Sequence, residues 1–305
     1  GCVMDGTTLD DGAFAAVRAY ASLTKRNVYL GIGRLTLSVQ QALTGDPYAI
    51  VGELGSTKQD GSTLPAASII WKGGAEPMFT ADTTWFKFEA MAIENQGTAT
   101  DFIELISGSI GFTLKDMYFV NGSGHTPFTR SCVRSTGNRL GYGMYSGIVC
   151  QGPAPFFIDI DGQGTGVGVT PITIQSSDST RSLFESNGGT AMTVLNIKDE
   201  TFDSVTIRDC TFNQQGNELT AVSTFDTPET RTIDVFTFEN NEWDKGNAVG
   251  ATSDVVLKLE NVQNANINNN HWNGNSVINL IDARNTNFTS FNGNWWRSCS
   301  AELIK

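Results

Sequence analysis

One eight-residue pattern recurs along this chain and restricts what it can fold into. Phe236-Thr237-Phe238-Glu239-Asn240-Asn241-Glu242-Trp243 has counterparts in Val205–Phe212 and Ala265–Trp272, a shorter version in Phe291–Trp296, and earlier ones in Phe86–Ile93 and Phe112–Phe119. In each, the last apolar residue before a polar corner is followed five positions later by a large apolar one: Phe88 and Ile93, Leu114 and Phe119, Ile207 and Phe212, Phe238 and Trp243, Ile267 and Trp272, Phe291 and Trp296. The first members of these pairs are 26, 93, 31, 29 and 24 residues apart, and 93 is three intervals of 31. A period of about 20 to 50 residues marks a stacked array. Within each copy apolar and polar residues alternate, as in a strand with one buried face. Asn, Asp or Gly then supplies the corner, where left-handed backbone is tolerated. Residues 264–294 hold 12 Asn, more than loops need, which fits ladders of Asn at successive corners. The repeat reads as one turn of a parallel β-helix, so the expected class is all-β.

Length agrees with one elongated unit, because a solenoid grows without needing a domain boundary. At about 25 to 30 residues per turn the chain makes about ten turns, and at about 4.8 Å per strand the stack is about 50 Å long. The hydrophobic content of 39%, the charged content of 17% and the 32 Gly suit short strands joined by tight corners. The formal charge of −12 is weighted toward the second half. Such a surface repels phosphate backbones, so nucleic acid is not an expected partner, whereas neutral glycans or cations suit it. No apolar run approaches the roughly 20 residues that span a bilayer, so no membrane insertion is expected, and no signal-peptide pattern is present. Cys2, Cys132, Cys150, Cys210 and Cys299 are odd in number and widely spread without a CxxC pair. They read as unpaired thiols of a protein folded in a reducing cytoplasm, with secretion as the alternative.

The opening carries a helix signal. Thr8 and Asp11 have capping-box spacing, Phe14, Val17 and Ala21 fall on one face, and Lys25-Arg26 stand where the helix dipole favours cations. Residues 1–43 are therefore read as a short N-terminal capping α-helix with the first strands, and 44–305 as the turns of the array. Asp5-Gly6-Thr7 with Asp10-Asp11, then Phe14 on the helix, then Val28-Tyr29-Leu30 and Gly33, resembles the opening of pectate-lyase-like parallel β-helix proteins, which in bacteriophages form tailspikes. Members usually carry a Pro-Gly-x-Tyr segment next, where this chain has Gly31-Ile32-Gly33-Arg34-Leu35. The resemblance implies a right-handed β-helix, a homotrimer, a place in a phage tail among other virion tail proteins, and binding or cleavage of bacterial surface polysaccharide. It covers about 35 residues directly. The last turn ends at Lys305 without a polar cap, which leads us to expect further protein or other subunits over it.

The regular pattern is interrupted near 122–147, a Gly- and Ser-rich stretch with His125, Arg130, Arg134, Arg139, Tyr142 and Tyr145. Long insertions in solenoids map to loops on one face, often the binding face, so this stretch is the expected recognition loop. Phe156–Gly162 then resumes strand character. With Ile158 and Ile160 inside, Asp159 and Asp161 are expected outward on one face.

Glycoside hydrolysis needs two carboxyl groups about 5 to 5.5 Å apart for retention or about 6.5 to 9.5 Å for inversion. Outward residues two apart on a strand satisfy this, which selects Asp159 and Asp161, with Glu185 from a neighbouring turn. Solvated surface acids fit the same pattern. A lyase needs cations near the sugar carboxylate and a base, which selects Arg130, Arg134 and Arg139 with Tyr142, Tyr145 or His125. Subunit contacts or acid pairing would use the same arginines. No cluster has metal-ligand spacing, and no metal or cofactor is expected. Trp243, Trp272 and Trp296 hold the recurring core position, whereas Trp85 and Trp295 neighbour inward residues and are expected outside, for stacking on sugars or for a subunit interface. A non-catalytic structural or receptor-binding virion spike or fibre is the alternative to a depolymerase.

Overall fold

The computed structural model describes residues 2–45, 48–57, 63–82, 85–106, 111–120, 125–136, 142–161, 171–186, 191–198, 201–215, 218–225, 232–245, 254–274 and 278–297. The chain is mostly β, with one helix among these residues. Its strands form an eighteen-stranded and a nine-stranded sheet, both built from parallel pairs, and one antiparallel hairpin of Leu54–Thr57 with Thr63–Pro65.

The sequence repeat is the register of these sheets. Phe88, Leu114, Tyr145, Ile174, Ile207, Phe238, Ile267 and Phe291 face one another in order on eight neighbouring strands. The missing copies between Leu114 and Ile207 are thus Tyr145 and Ile174. The second row runs Ile93, Phe119, Cys150, Phe184, Phe212, Trp243, Trp272 and Trp296. The nine-stranded sheet supplies a third, from Phe79 through Ile103, Val133, Ile158, Leu195, Val222 and Leu257 to Ile281. The described side chains of these rows meet in one apolar core. Rings run through it in sequence from Phe79 to Phe88, Phe102, Phe119, Phe157, Phe184, Phe212, Trp243 and Trp272, with centroid separations between 4.9 Å and 6.5 Å. Such rings each bury about 150 to 250 Å² and dominate the energy of the core.

Between the paired strands a single residue turns the chain in left-handed conformation: Ala90 (φ 61), Asp116 (φ 53), Asp209 (φ 57), Asn240 (φ 55) and Asn269 (φ 56), with Gly147 and Gly293 at the equivalent places. Asp, Asn and Gly adopt that conformation at little cost, which is why the corners read as polar. The next position carries an Asn ladder. Asn241 N–H donates to Asn270 Oδ1 (3.0 Å), Asn270 N–H donates to Asn294 Oδ1 (3.0 Å), and Asn270 Nδ2 donates to the Phe238 carbonyl (2.9 Å). Cys210 N–H continues the ladder onto Asn241 Oδ1 (3.0 Å).

The helix spans Asp11–Thr24 and packs Phe14, Arg18 and Ala21 against the first strands. Two features of the sequence reading change. The N-cap is Asp10, since Asp5–Leu9 is a strand, and Thr8 bonds to Asp5 instead. Arg18 takes the inward place expected for Val17, donating to Gln41 Oε1 (2.7 Å) and to the Ala42 carbonyl, because the first strands offer buried acceptors there. Lys25 is the left-handed C-cap.

The expected insertion near 122–147 also contains regular strands. Ser131–Ser135 pairs with Asp101–Leu105 on one side and Phe156–Asp161 on the other, and Gly143–Gln151 pairs with Gly111–Val120. Gly143 and Gly147 disguised the second strand. Residues 121–124 and 137–141, Arg139 among them, lie outside the described residues.

Candidate functional site

Alternation along Trp85–Asn95 buries Phe86 and Phe88 and turns Trp85 and Lys87 outward. The register partner of Trp85 is Gly111, which has no side chain to lift the indole off the sheet. One strand further, Tyr142 enters the Gly143–Gln151 strand, and its ring stacks on Trp85 with centroids 5.6 Å apart and planes 20° from parallel. Trp85 is 51% exposed and Tyr142 48%, so the stacked pair forms an exposed apolar platform. Beside it lies a groove of about 300 Å³ lined by Tyr48, Ala49, Trp85, Phe86, Lys87 and Thr113. Its floor is apolar: Tyr48 is buried, edge-on to Phe86 at 5.2 Å. Burial pushes the Tyr48 hydroxyl up, against the opposing charge and hydrogen bond of Arg18.

The rim is polar. Lys87 Nζ lies 2.5 Å from Glu89 Oε2 and Lys115 Nζ 2.9 Å from Glu89 Oε1. Burial works to raise the Glu89 carboxyl, but the hydrogen bonds and charges of the two lysines outweigh it and hold the group below its ordinary range. The Lys115 ammonium is correspondingly raised, chiefly by its bond to Glu89.

The carboxylates selected from the sequence are engaged elsewhere. On the nine-stranded sheet one polar row runs Thr80, Glu104, Arg134, Asp159, Asn196, Ser223, Lys258 and Asp282. Asp159 is buried, contrary to its expected place at the open surface. It accepts from Arg134 Nη1 at 2.8 Å and from Asn196 Nδ2 at 2.7 Å, partners contributed by the strands on either side. Asp161 is half-buried and faces Lys198 in register. Glu185 belongs to the eighteen-stranded sheet, so it does not join the aspartates. It is buried and accepts from Gln151 Nε2 at 3.1 Å, and Gln151 accepts in turn from the Tyr118 hydroxyl at 2.9 Å. Glu104 and Asp159 flank Arg134 two strand spacings apart, about 9.6 Å between backbones, and the guanidinium fills the space where inversion needs a water.

The arginines follow the same logic. Arg130 donates through Nε (2.9 Å) and Nη2 to Asp101 Oδ2, and its Nη2 lies 3.7 Å from Glu104. These acids link neighbouring strands, so Arg130 and Arg134 are ion-paired ladder residues and not loop cations. Tyr145 is fully buried, its ring between Phe112 and Phe157, because it belongs to the core row of Leu114 and Ile174. Burial pushes its hydroxyl well up. It is no surface ligand.

Two further clusters are polar. Glu94 is buried and meets Arg34 Nη2 at 2.5 Å, Gln96 Nε2 at 3.3 Å and His125 Nδ1 at 4.0 Å. Trp295 is 52% exposed and leans on His271 with centroids 4.1 Å apart. Among the described residues no group of three or more His, Cys, Asp or Glu could hold a metal ion, and no described helix is long and apolar enough to cross a membrane. Cys132, Cys150 and Cys210 are buried free thiols.

Of the residues selected from the sequence, the structure brings together Trp85 and Tyr142 in one place and Arg134 and Asp159 in another. Tyr48, Lys87 and Thr113 line the groove beside the first pair and were not foreseen; the outward parity of Lys87 and Thr113 beside Trp85 was the available signal. The chain matches no protein-family model, and no curated protein or solved structure matches it.

Proposed function

We propose that the chain is a right-handed parallel β-helix of the bacteriophage tailspike type that binds bacterial surface polysaccharide through the Trp85–Tyr142 platform. The parallel rows running from Phe88 to Phe291 and from Phe79 to Ile281 support the β-helix, since each strand pairs with one about 24 to 37 residues onward. The single observation that carries the binding reading is the exposure of two stacked rings beside a groove of sugar-sized volume. Sugar rings present apolar C–H faces to aromatic faces, and polar groups at the rim fix their orientation. The molecule assembles as a homotrimer in a virion tail with other tail proteins.

The receptor-binding form of this reading is preferred over depolymerisation at Asp159, Asp161 and Glu185. Asp159 and Glu185 are tied to Arg134, Asn196 and Gln151, and the three acids are divided between two sheets. The test is titration of the protein with capsule or O-antigen from candidate hosts, read by tryptophan fluorescence and calorimetry. Binding that falls at least tenfold in Trp85→Ala is expected. Unchanged affinity would remove the reading. Release of shortened chains by the wild type, lost in Asp159→Asn, would favour the hydrolase instead.

A further inference from the structure

We infer that the groove beside Trp85 selects a carboxylate-bearing sugar, a hexuronic acid or another acidic residue of the polysaccharide, with Lys87 as the residue that recognises its charge. The inference rests on the polysaccharide-binding reading of this site and names the chemical class of its ligand.

The chain carries a formal charge of −12, and two of its arginines on the nine-stranded sheet are paired with acids, Arg130 with Asp101 and Arg134 with Asp159. At the groove two lysines, Lys87 and Lys115, share the carboxylate of Glu89. Their side chains are 37% and 41% exposed and that of Glu89 only 20%, so the lysines are more open to solvent than the acid they share. The register partners of Lys87 are Ala49 and Thr113, and the partners of Glu89 other than Lys115 include Val51; none is an acid. Lys115 has further acidic neighbours in Asp116 and Asp178. Lys87 has only Glu89 as an ion-pair partner among the described residues, and it lines the groove together with Thr113.

A ring stacked on Trp85 would therefore have an ammonium and a hydroxyl along one edge and apolar walls on the others. A carboxylate entering there gains a charge-assisted bond and shares an ammonium that Glu89 holds only partly. A neutral sugar leaves Lys87 as it was. This arrangement discriminates by charge within a site whose affinity comes mainly from stacking.

The experiment uses matched probes: oligosaccharides of polygalacturonate, alginate, hyaluronan and polysialic acid, each beside its carboxyl-reduced neutral counterpart. Binding is measured by tryptophan fluorescence and calorimetry on the wild type, Trp85→Ala and Lys87→Gln. At least one acidic oligosaccharide is expected to bind at least tenfold more tightly than its reduced form, with added salt narrowing the gap and Lys87→Gln abolishing it. Circular dichroism checks that Lys87→Gln is folded. Equal affinity for acidic and reduced forms, with Trp85→Ala still defective, overturns the inference and leaves the binding reading intact. A charge preference that survives in Lys87→Gln also overturns it. Binding of no probe, acidic or neutral, removes both.

Discussion

The indole of Trp85 lies across Gly111, so close that a Cβ built on Gly111 would fall 2.2 Å from its Cε3 atom. The platform therefore depends on a missing methyl group one strand away. Gly111→Ala is expected to push the ring off the sheet, unstack it from Tyr142 and weaken the proposed polysaccharide binding about tenfold, about 1.4 kcal/mol. Near-ultraviolet circular dichroism reports the ring, and calorimetry the affinity. An alanine that leaves both unchanged would show that the ring has another resting place.

The tryptophans separate into two classes by strand parity. Trp272 is fully buried between Phe238 and Trp243, at centroid distances of 5.9 Å and 6.5 Å, whereas Trp295 leans on His271 in solvent. Trp272→Ala should cost about 3 to 5 kcal/mol in unfolding free energy. Trp295→Ala should stay within about 0.5 kcal/mol. Urea titration of the two variants measures the contrast.

The corners make a finer test. Asn270→Ala leaves the buried Asn241 N–H without its acceptor and should cost about 1 to 3 kcal/mol. Asn269, one residue earlier, contributes its left-handed backbone at φ 56. Asn269→Ala should cost about 1 kcal/mol, whereas Asn269→Gly should be near neutral. Reversed ranking of Asn269→Ala and Asn269→Gly in thermal melts would contradict the corner assignment.

Glu89 gives a pH dependence with a definite sign. Its folded-state pKa is depressed, so its contribution to stability is fully present above the ordinary glutamate range. It is lost as pH falls from that range through the lower folded value. The effect is at most about 1 kcal/mol, because the lysines are exposed and salt screens them. Melting curves of wild type and Glu89→Gln should differ at neutral pH and converge in acid. A gap that widens in acid would mean that the lysines do not hold this carboxylate.

Much of the fold was legible because alternation, a left-handed corner and a ring five positions on are local signals. Phe238, Asn240 and Trp243 state all three within six residues. Tyr145 escaped because its corner is Gly147 and the residue five positions on is Cys150, small and ambiguous. Ile174 escaped because its strand ends at Gln175, and the matching core residue, Phe184, follows only on a separate strand, Leu183–Ser186. The site was less legible than the fold. Strand parity alone turned Trp85 outward, but most contacts of the candidate site join residues from different repeats: Trp85 to Gly111 and Tyr142, Lys115 to Glu89, Arg134 to Asp159. Alternation told which residues leave the core. It could not tell that Asp159, leaving it, would meet Arg134 and Asn196 on the adjoining strands and be covered by them.

A β-helix requires successive repeats to stack in register along one axis. The outward row Thr113, Met144, Thr173, Thr206, Thr237, Asn266 and Ser290 provides a ruler for it. Spin labels at Thr113 paired with Thr206, Asn266 or Ser290 should give backbone separations of about 14, 24 and 29 Å, rising by one strand spacing of about 4.8 Å per repeat. Pulsed electron resonance measures these distances in solution. Separations that rise linearly with repeat number agree with the account; ones that level off or fail to order by repeat would contradict it.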